Sequence, residues 1–154
     1  MTLDTPERVL GFDVGARRVG VACGSRVTGS AQALEVIPRR AGDIDWTVLD
    51  RLLREWKPDA LVVGLPLTLD GLEQSASNLA REFADSAGSR SSLPVIFQDE
   101  RHSSQEAAAR FATARRDGTR RRRDADTLDS LAAVIIVERY FAGPSLPWPP
   151  HKEY

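Results

Sequence analysis

Val9-Leu10-Gly11-Phe12-Asp13-Val14-Gly15 decides the reading of this chain. It is an apolar run of strand length that one acid interrupts near its carboxyl end, before a glycine that starts a turn. The next stretch, Arg18-Val19-Gly20-Val21-Ala22-Cys23, is again apolar and small. The two together predict a hairpin, with a third strand over Ala33 to Ile37 ended by Pro38. From Asp45 the period changes: Val48, Leu49, Leu52, Leu53 and Trp56 recur at helical spacing, and Pro58 closes that helix. Ala60-Leu61-Val62-Val63-Gly64 then reads as a short strand buried on both faces of a parallel sheet.

Further along, Gly64-Leu65-Pro66 and Asp70-Gly71 mark a loop, and a second helix carries Leu72, Ala76, Leu79, Ala80 and Phe83 on one face. Pro94 to Phe97 is another buried strand, running straight into Asp99-Glu100-Arg101. A helix from about Ser104 to Arg115 follows, and then a last helix with Leu128, Leu131, Ala132, Ile135, Ile136 and Tyr140. The order predicts an α/β fold: a five-stranded mixed sheet, three antiparallel-linked strands and then parallel ones, flanked by about four helices. The first strand should be central, flanked by the later parallel strands, and sites in such sheets gather at the carboxyl ends of strands. Residues 1–142 are expected to form one domain, and Gly143-Pro144, Pro147, Pro149 and Pro150 an irregular tail over 143–154.

Composition sets bounds on function. The chain has 154 residues, 42% hydrophobic and 28% charged, which is enough for a core and argues against general disorder. No apolar run approaches a membrane span and Met1 to Arg8 carries no hydrophobic signal region, so no membrane partner is expected. One cysteine, Cys23, excludes an internal disulfide framework and suits a reducing cytoplasm. With two histidines, His102 and His151, a structural zinc site is excluded as well, so any metal must take oxygen ligands, as Mg²⁺ or Mn²⁺ do.

The net charge of −1 conceals a basic stretch: Arg110, Arg115, Arg116 and Arg120 to Arg123, with Asp117 the one acid between them. Such a patch fits a polyanion; its plainer reading is a solvated arginine loop.

Acids stand at three places where solvated surface acids would not be expected. Asp13 interrupts the first strand, Asp99 and Glu100 follow the last buried strand, and Asp129 faces the same side of its helix as Ala132, Ala133 and Ile136. A buried carboxylate must be protonated or matched by a cation. Phosphodiester hydrolysis supplies a reason for three to converge, since two divalent ions about 4 Å apart, held by carboxylates, activate water and stabilise the leaving oxygen. Each acid also has a bland role: Asp13 starting the turn, Asp99 and Glu100 solvated at a strand end, Asp126 capping the last helix with Asp129 in its first turn.

At these residues the sequence resembles the YqgF (RuvX) family of pre-16S rRNA nucleases and Holliday-junction resolvase-like proteins. The matching stretches are Gly11-Phe12-Asp13-Val14-Gly15 with Arg18-Val19-Gly20-Val21-Ala22; Val63-Gly64-Leu65-Pro66-Leu67 with Asp70-Gly71 and Glu73; Asp99-Glu100-Arg101 with Ser103-Ser104; and Leu128-Asp129-Ser130 through Ile136. Four ordered motifs are far more specific than a lone Asp-x-Gly. The resemblance implies an RNase H-like fold, with Asp13, Glu100 and Asp129 as catalytic acids binding Mg²⁺ or Mn²⁺, and a cytoplasmic role in maturing the 5′ end of small-subunit rRNA. Departures are mild: Ser104 for a common threonine, His102 for an apolar residue, and Cys23-Gly24-Ser25 for a serine-aspartate turn.

Arg120, Arg121, Arg122 and Arg123 are expected to contact phosphates without reading sequence, helped by Arg17, Arg18, Arg101, Ser103, Ser104 and the loop from Leu65 to Gly71. His102 is expected to be exposed, and Trp46 and Trp56 to be core residues rather than a stacking platform. The partners expected are pre-rRNA, with branched DNA the alternative, and ribosomal particles, for a monomer or homodimer. Three other readings stay open: a junction-resolving DNA nuclease, which needs a dimer; a non-catalytic nucleic-acid or ribosome-binding factor; and an actin-like ATPase, which needs two such domains.

Overall fold

The computed structural model describes residues 6–68, 70–100, 107–110, 112 and 124–142. Strands β1 (Arg8–Val14) and β2 (Arg18–Ser25) form the expected hairpin, with Asp13 opposite Gly20 and Val14 opposite Val19. Gly15 N–H donates to the Arg18 carbonyl at 3.0 Å and closes the turn.

The expected third strand is two. β3 (Ser30–Ala33) pairs with the distal half of β2, and β4 (Ile37–Arg40) pairs with its start, with Ile37 opposite Val19 and Pro38 opposite Arg18. Between them only Leu34 N–H reaches β2, at the Val21 carbonyl. Pro38 therefore lies inside a strand rather than ending one. The ladder it joins covers two positions, so a residue without an N–H is tolerated, and its carbonyl accepts from Asp45 N–H. A two-residue strand, β5 (Asp43–Ile44), completes that edge.

On the other side of β1, β6 (Ala60–Leu65) and β7 (Val95–Asp99) run parallel to it. The order is β5-β4-β2-β1-β6-β7 with β3 also on β2, seven strands among the described residues where five were expected. β1 is central, but parallel strands flank it on one side only.

Helix α1 (Trp46–Trp56) starts where Asp45 accepts from Thr47 N–H and ends at Lys57, in the left-handed region at φ 46°, whose N–H closes on the Leu53 carbonyl. Helix α2 (Ser75–Ser91) opens with a reciprocal cap between Gln74 and Ser77. Leu72 is not on it. Gly71, at φ 87°, and the bonds joining Thr68 to Leu72 make a tight turn that leaves Leu72 64% exposed. Ala76 is also exposed, and the buried face runs through Ala80, Phe83, Ala84 and Ala87.

Strand alternation separates two packed faces. Leu10, Phe12, Val14, Val21, Leu61, Val63 and Leu65 point toward α1 and α2, where Phe12 meets Phe83 with centroids 4.9 Å apart and Trp46 stacks on Phe83. Trp46 and Trp56, expected in the core, are partly buried and pack against it. Val9, Ala22, Ala60 and Val62 point the other way, against Ala133, Val134, Ile136 and Val137 of the last helix, α3 (Asp124–Ala142). Residues 107–110 and 112 are helical within the expected Ser104–Arg115 span, and Ala107 packs on the outer side of α3 against Ala132 and Ile135. Arg110, counted above in the basic stretch, pairs with Glu138 at 2.7 Å. Among the described residues no helix is long and apolar enough to cross a membrane.

Candidate active site

The face that carries α3 is the face that carries the acids. Asp13 is two residues beyond Gly11 and four beyond Val9, so alternation turns it toward α3 at the carboxyl end of β1. Glu100 stands in the same relation to Ile96, which packs on that cluster, and to buried Gln98. Asp99 is still in β7, while Glu100 N–H donates to the Leu65 carbonyl at 3.2 Å and extends the ladder one step. Parallel strands thus deliver both carboxyls to one edge.

Two glycines let the acids approach. A Cβ on Gly64 would lie 2.8 Å from Glu100 Oε1 and 2.5 Å from Ile136 Cδ1, so the carboxyl rests over bare backbone of β6. A Cβ on Gly20 would lie 2.0 Å from the Asp129 carbonyl oxygen and 3.0 Å from its Cβ. Gly20 is the cross-strand partner of Asp13. The contact of α3 on β2 therefore seats Asp129 beside Asp13. Ser130 helps hold the helix there, its hydroxyl donating to the Leu34 carbonyl at 2.8 Å. Asp129 is the sixth residue of α3, so Asp126 does not cap this helix and Asp129 is not in its first turn.

The electrostatics follow from that crowding. Burial raises the Asp13 carboxyl above the usual range; the Glu100 hydrogen bond works against this and the Asp129 charge adds to it. Glu100 is raised further, by burial first, then by the Asp13 charge and hydrogen bond and by Asp99, with Arg139 opposing. The bond lowers Asp13 and raises Glu100, so Glu100 holds the proton and donates it to Asp13. Glu100 Oε1 is buried with no hydrogen-bond partner among the described residues, a condition that costs roughly 1–3 kcal/mol.

Asp129 is arranged differently. Its Oδ2 accepts from Arg18 Nε at 2.6 Å, and both side chains are about one-third exposed, at 32% and 27%. As the side chains lie, no three His, Cys, Asp or Glu groups among the described residues are grouped to hold a metal. Asp13 and Glu100 are in contact, and Asp129 is adjacent but turned to Arg18. Still, a hard divalent cation fits the donor set: all-oxygen ligands, protonated only because they crowd one another, with one buried oxygen unsatisfied.

Of the other expected contacts, Arg17 is exposed at the hairpin turn and Arg18 is committed to Asp129. Arg101, His102, Ser103, Ser104 and Arg120 to Arg123 lie outside the described residues. The Leu65-to-Gly71 loop leaves β6 at the acid edge, anchored where Ser77 Oγ donates to the Pro66 carbonyl. Sequence reasoning missed the Arg18–Asp129 pair, the influence of Arg139 on Glu100, and the work of Gly20 and Gly64. Only the glycines left a signal, since an isolated glycine in a strand marks a close backbone approach.

Comparison with known proteins places these features. Residues 7–143 match the RuvX family, described as Holliday junction resolvase. Proteins named "Putative pre-16S rRNA nuclease" in Xanthomonas axonopodis pv. citri (strain 306) and in Xanthomonas campestris pv. campestris (strain 8004) are each 54% identical over 136 residues, 88% of either chain. Among solved structures, T. thermophilus RuvC in complex with a Holliday junction substrate superposes with a TM-score of 0.52 at 19% identity, covering 88% of this chain and 94% of that one. The fowlpox virus Holliday junction resolvase superposes at 0.51 with 14% identity, covering 88% and 98%. At such identities the likeness is one of fold, and it bears out the RNase H-like architecture. A match over nearly the whole chain, joined to relatives that share half their residues with it, makes this protein a member of the RuvX family.

Proposed function

We propose that this protein is a metal-dependent nuclease that hydrolyses phosphodiester bonds in maturing the 5′ end of pre-16S rRNA, with Asp13, Glu100 and Asp129 as its catalytic acids. The observation that carries the reading is the Asp13–Glu100 contact at the edge of the sheet, with Asp129 seated beside it and Glu100 Oε1 unsatisfied. An acid pair built only for stability would have its oxygens satisfied.

The three carboxylates would hold Mg²⁺ or Mn²⁺, two ions on this reading. Such ions, when bound, supply a nucleophilic water and stabilise the leaving oxygen. The chain's own part is positional. Asp13 and Glu100 are fixed by ladder bonds on strands that flank β6, and Asp129 by the contact of α3 on Gly20, so ordering them costs little at the moment of reaction. The Glu100 proton must leave before that carboxyl can serve as a ligand. Arg17, Arg101, Ser103, Ser104 and Arg120 to Arg123 would grip the phosphates of the substrate. Cytoplasmic location and association with ribosomal particles belong to the same proposal, supported by the relatives' names.

A junction-resolving DNA nuclease is the second reading, favoured by the description of the family and by the fold shared with the two resolvases. It requires a dimer to cut two strands symmetrically. Cleavage of end-labelled RNA spanning the 16S 5′ end, matched DNA and a four-way junction, with Mg²⁺, Mn²⁺ or EDTA, separates the readings. The account expects metal-dependent cutting of the RNA, lost in Asp13→Asn. Preferential cutting of the junction by a dimer would establish the second reading. Folded protein that cuts none of them, yet binds RNA equally with and without the substitution, would make it a non-catalytic binding factor.

A further inference from the structure

We propose that Arg18 is a positioning residue that competes with a divalent cation for the Asp129 carboxylate, so that loading the site requires Arg18 to let go. The inference rests on the metal-dependent reading above and adds a built-in competitor to it.

The register of the hairpin sets up the competition. Arg18 and Gly20 are two apart on β2 and share a face; Gly20 is opposite Asp13, and Asp129 Cβ stands over Gly20. Asp129 is therefore flanked by Asp13 on one side and Arg18 on the other. Its side chain is short and follows the stronger local field. The Asp13 charge repels it, since the Asp129 charge is among the causes that raise the Asp13 carboxyl, and Arg18 offers a charge-assisted bond at 2.6 Å. A divalent ion beside Asp13 and Glu100 inverts that field and pulls the same carboxylate the other way. An arginine that merely oriented the ligand from behind would instead raise the affinity for the ion. The two roles predict opposite signs.

Calorimetric titration of Mn²⁺ into wild type, Arg18→Gln, Arg18→Lys and Asp13→Asn tests this. Arg18→Gln removes the charge and should tighten Mn²⁺ binding about two- to fivefold, the range expected for freeing a carboxylate from a part-exposed ion pair. Arg18→Lys keeps the charge and should stay within about twofold of wild type on the same grounds. The Arg18 Nε–H resonance, assigned by its absence in Arg18→Lys, should shift during a Mg²⁺ titration of wild type with the midpoint found by calorimetry. Binding by Arg18→Gln that is unchanged or weaker overturns the proposal, as does an Nε–H resonance that ignores Mg²⁺. Should Arg18→Gln fail to fold, as judged by its melt in EDTA, the resonance on wild type decides alone. Wild type and Asp13→Asn taking up Mn²⁺ equally, or not at all, would instead sink the metal reading itself and the competition with it.

Discussion

The two faces of the sheet are made from alternate residues of the same strands, yet they are built to opposite rules. Toward α1 and α2 the strands present Leu10, Phe12, Val14, Val21, Leu61 and Val63, large side chains that hold the helices off and fill the space between. Toward α3 they present Val9 and Val62 but also Gly11, Gly20, Gly24 and Gly64 with Ala22 and Ala60, and the helix comes close enough that any Cβ at those glycines would collide with it or with Glu100. The first face carries Asp99 at the end of β7, in line with Val95 and Phe97 and apart from the other acids. The second ends in Asp13 and Glu100, with Asp129 pressed against them. Bulk gives stability on one side; on the other, glycines at the helix contact let three acidic groups crowd together at a cost in stability.

That contrast can be broken experimentally. The largest effect expected is on activity: Asp13→Asn should lower metal-dependent cleavage by at least about a thousandfold, while relief of crowding leaves its thermal midpoint at or above that of wild type in EDTA. Loss of activity together with unfolding would make Asp13 a structural acid. Next, Gly20→Ala should destabilise by roughly 3 kcal/mol, because its Cβ meets the α3 backbone, and should depress cleavage as Asp129 is displaced. Phe12→Leu, on the other face, should cost less than about 1.5 kcal/mol and leave cleavage per folded molecule unchanged. Denaturant melts and single-turnover rates on both variants measure the contrast; equal effects on activity would erase it.

The smallest expected effect is on pH dependence. Asp13 and Glu100 hold protons more tightly folded than unfolded. Between the ordinary carboxylate range and their raised values the native state thus binds more protons than the unfolded one, and stability falls as pH rises. The contribution is complete below the unfolded values and lost as pH climbs through the folded ones. Melts in EDTA from acid to mildly alkaline pH should show this decline, and Glu100→Gln should flatten it. Buried Cys23, raised by burial, adds a fall of the same sign at alkaline pH that Glu100→Gln would leave in place. In Mg²⁺ the trend should reverse, since the cation binds the deprotonated carboxyls. A flat wild-type profile in EDTA would mean the two acids are not crowded as described.

Much of this was legible in the sequence because the decisive signals are local. The apolar run at Ala60–Leu65, the helical period from Val48 to Trp56 and the acids that interrupt apolar segments are each readable within a few residues. What escaped depends on distant partners. The split near Leu34 arises because β3 and β4 follow different halves of β2, which no local pattern encodes. Leu72 has the right residue type for a helix face, but turn chemistry at Thr68 and Gly71 overrides it. Arg18, expected to grip phosphate, finds Asp129 111 positions away. An ion pair of that span leaves no trace in spacing.

The central claim is that Asp13 and Glu100 share a divalent cation at the glycine-lined edge. A crystal soaked in Mn²⁺ and measured at the manganese absorption edge tests it most directly. The account predicts anomalous density joined to both carboxyls, Glu100 Oε1 among its ligands, and none there in Asp13→Asn. No density at that edge, in protein from a preparation that cleaves RNA in Mn²⁺, would contradict it.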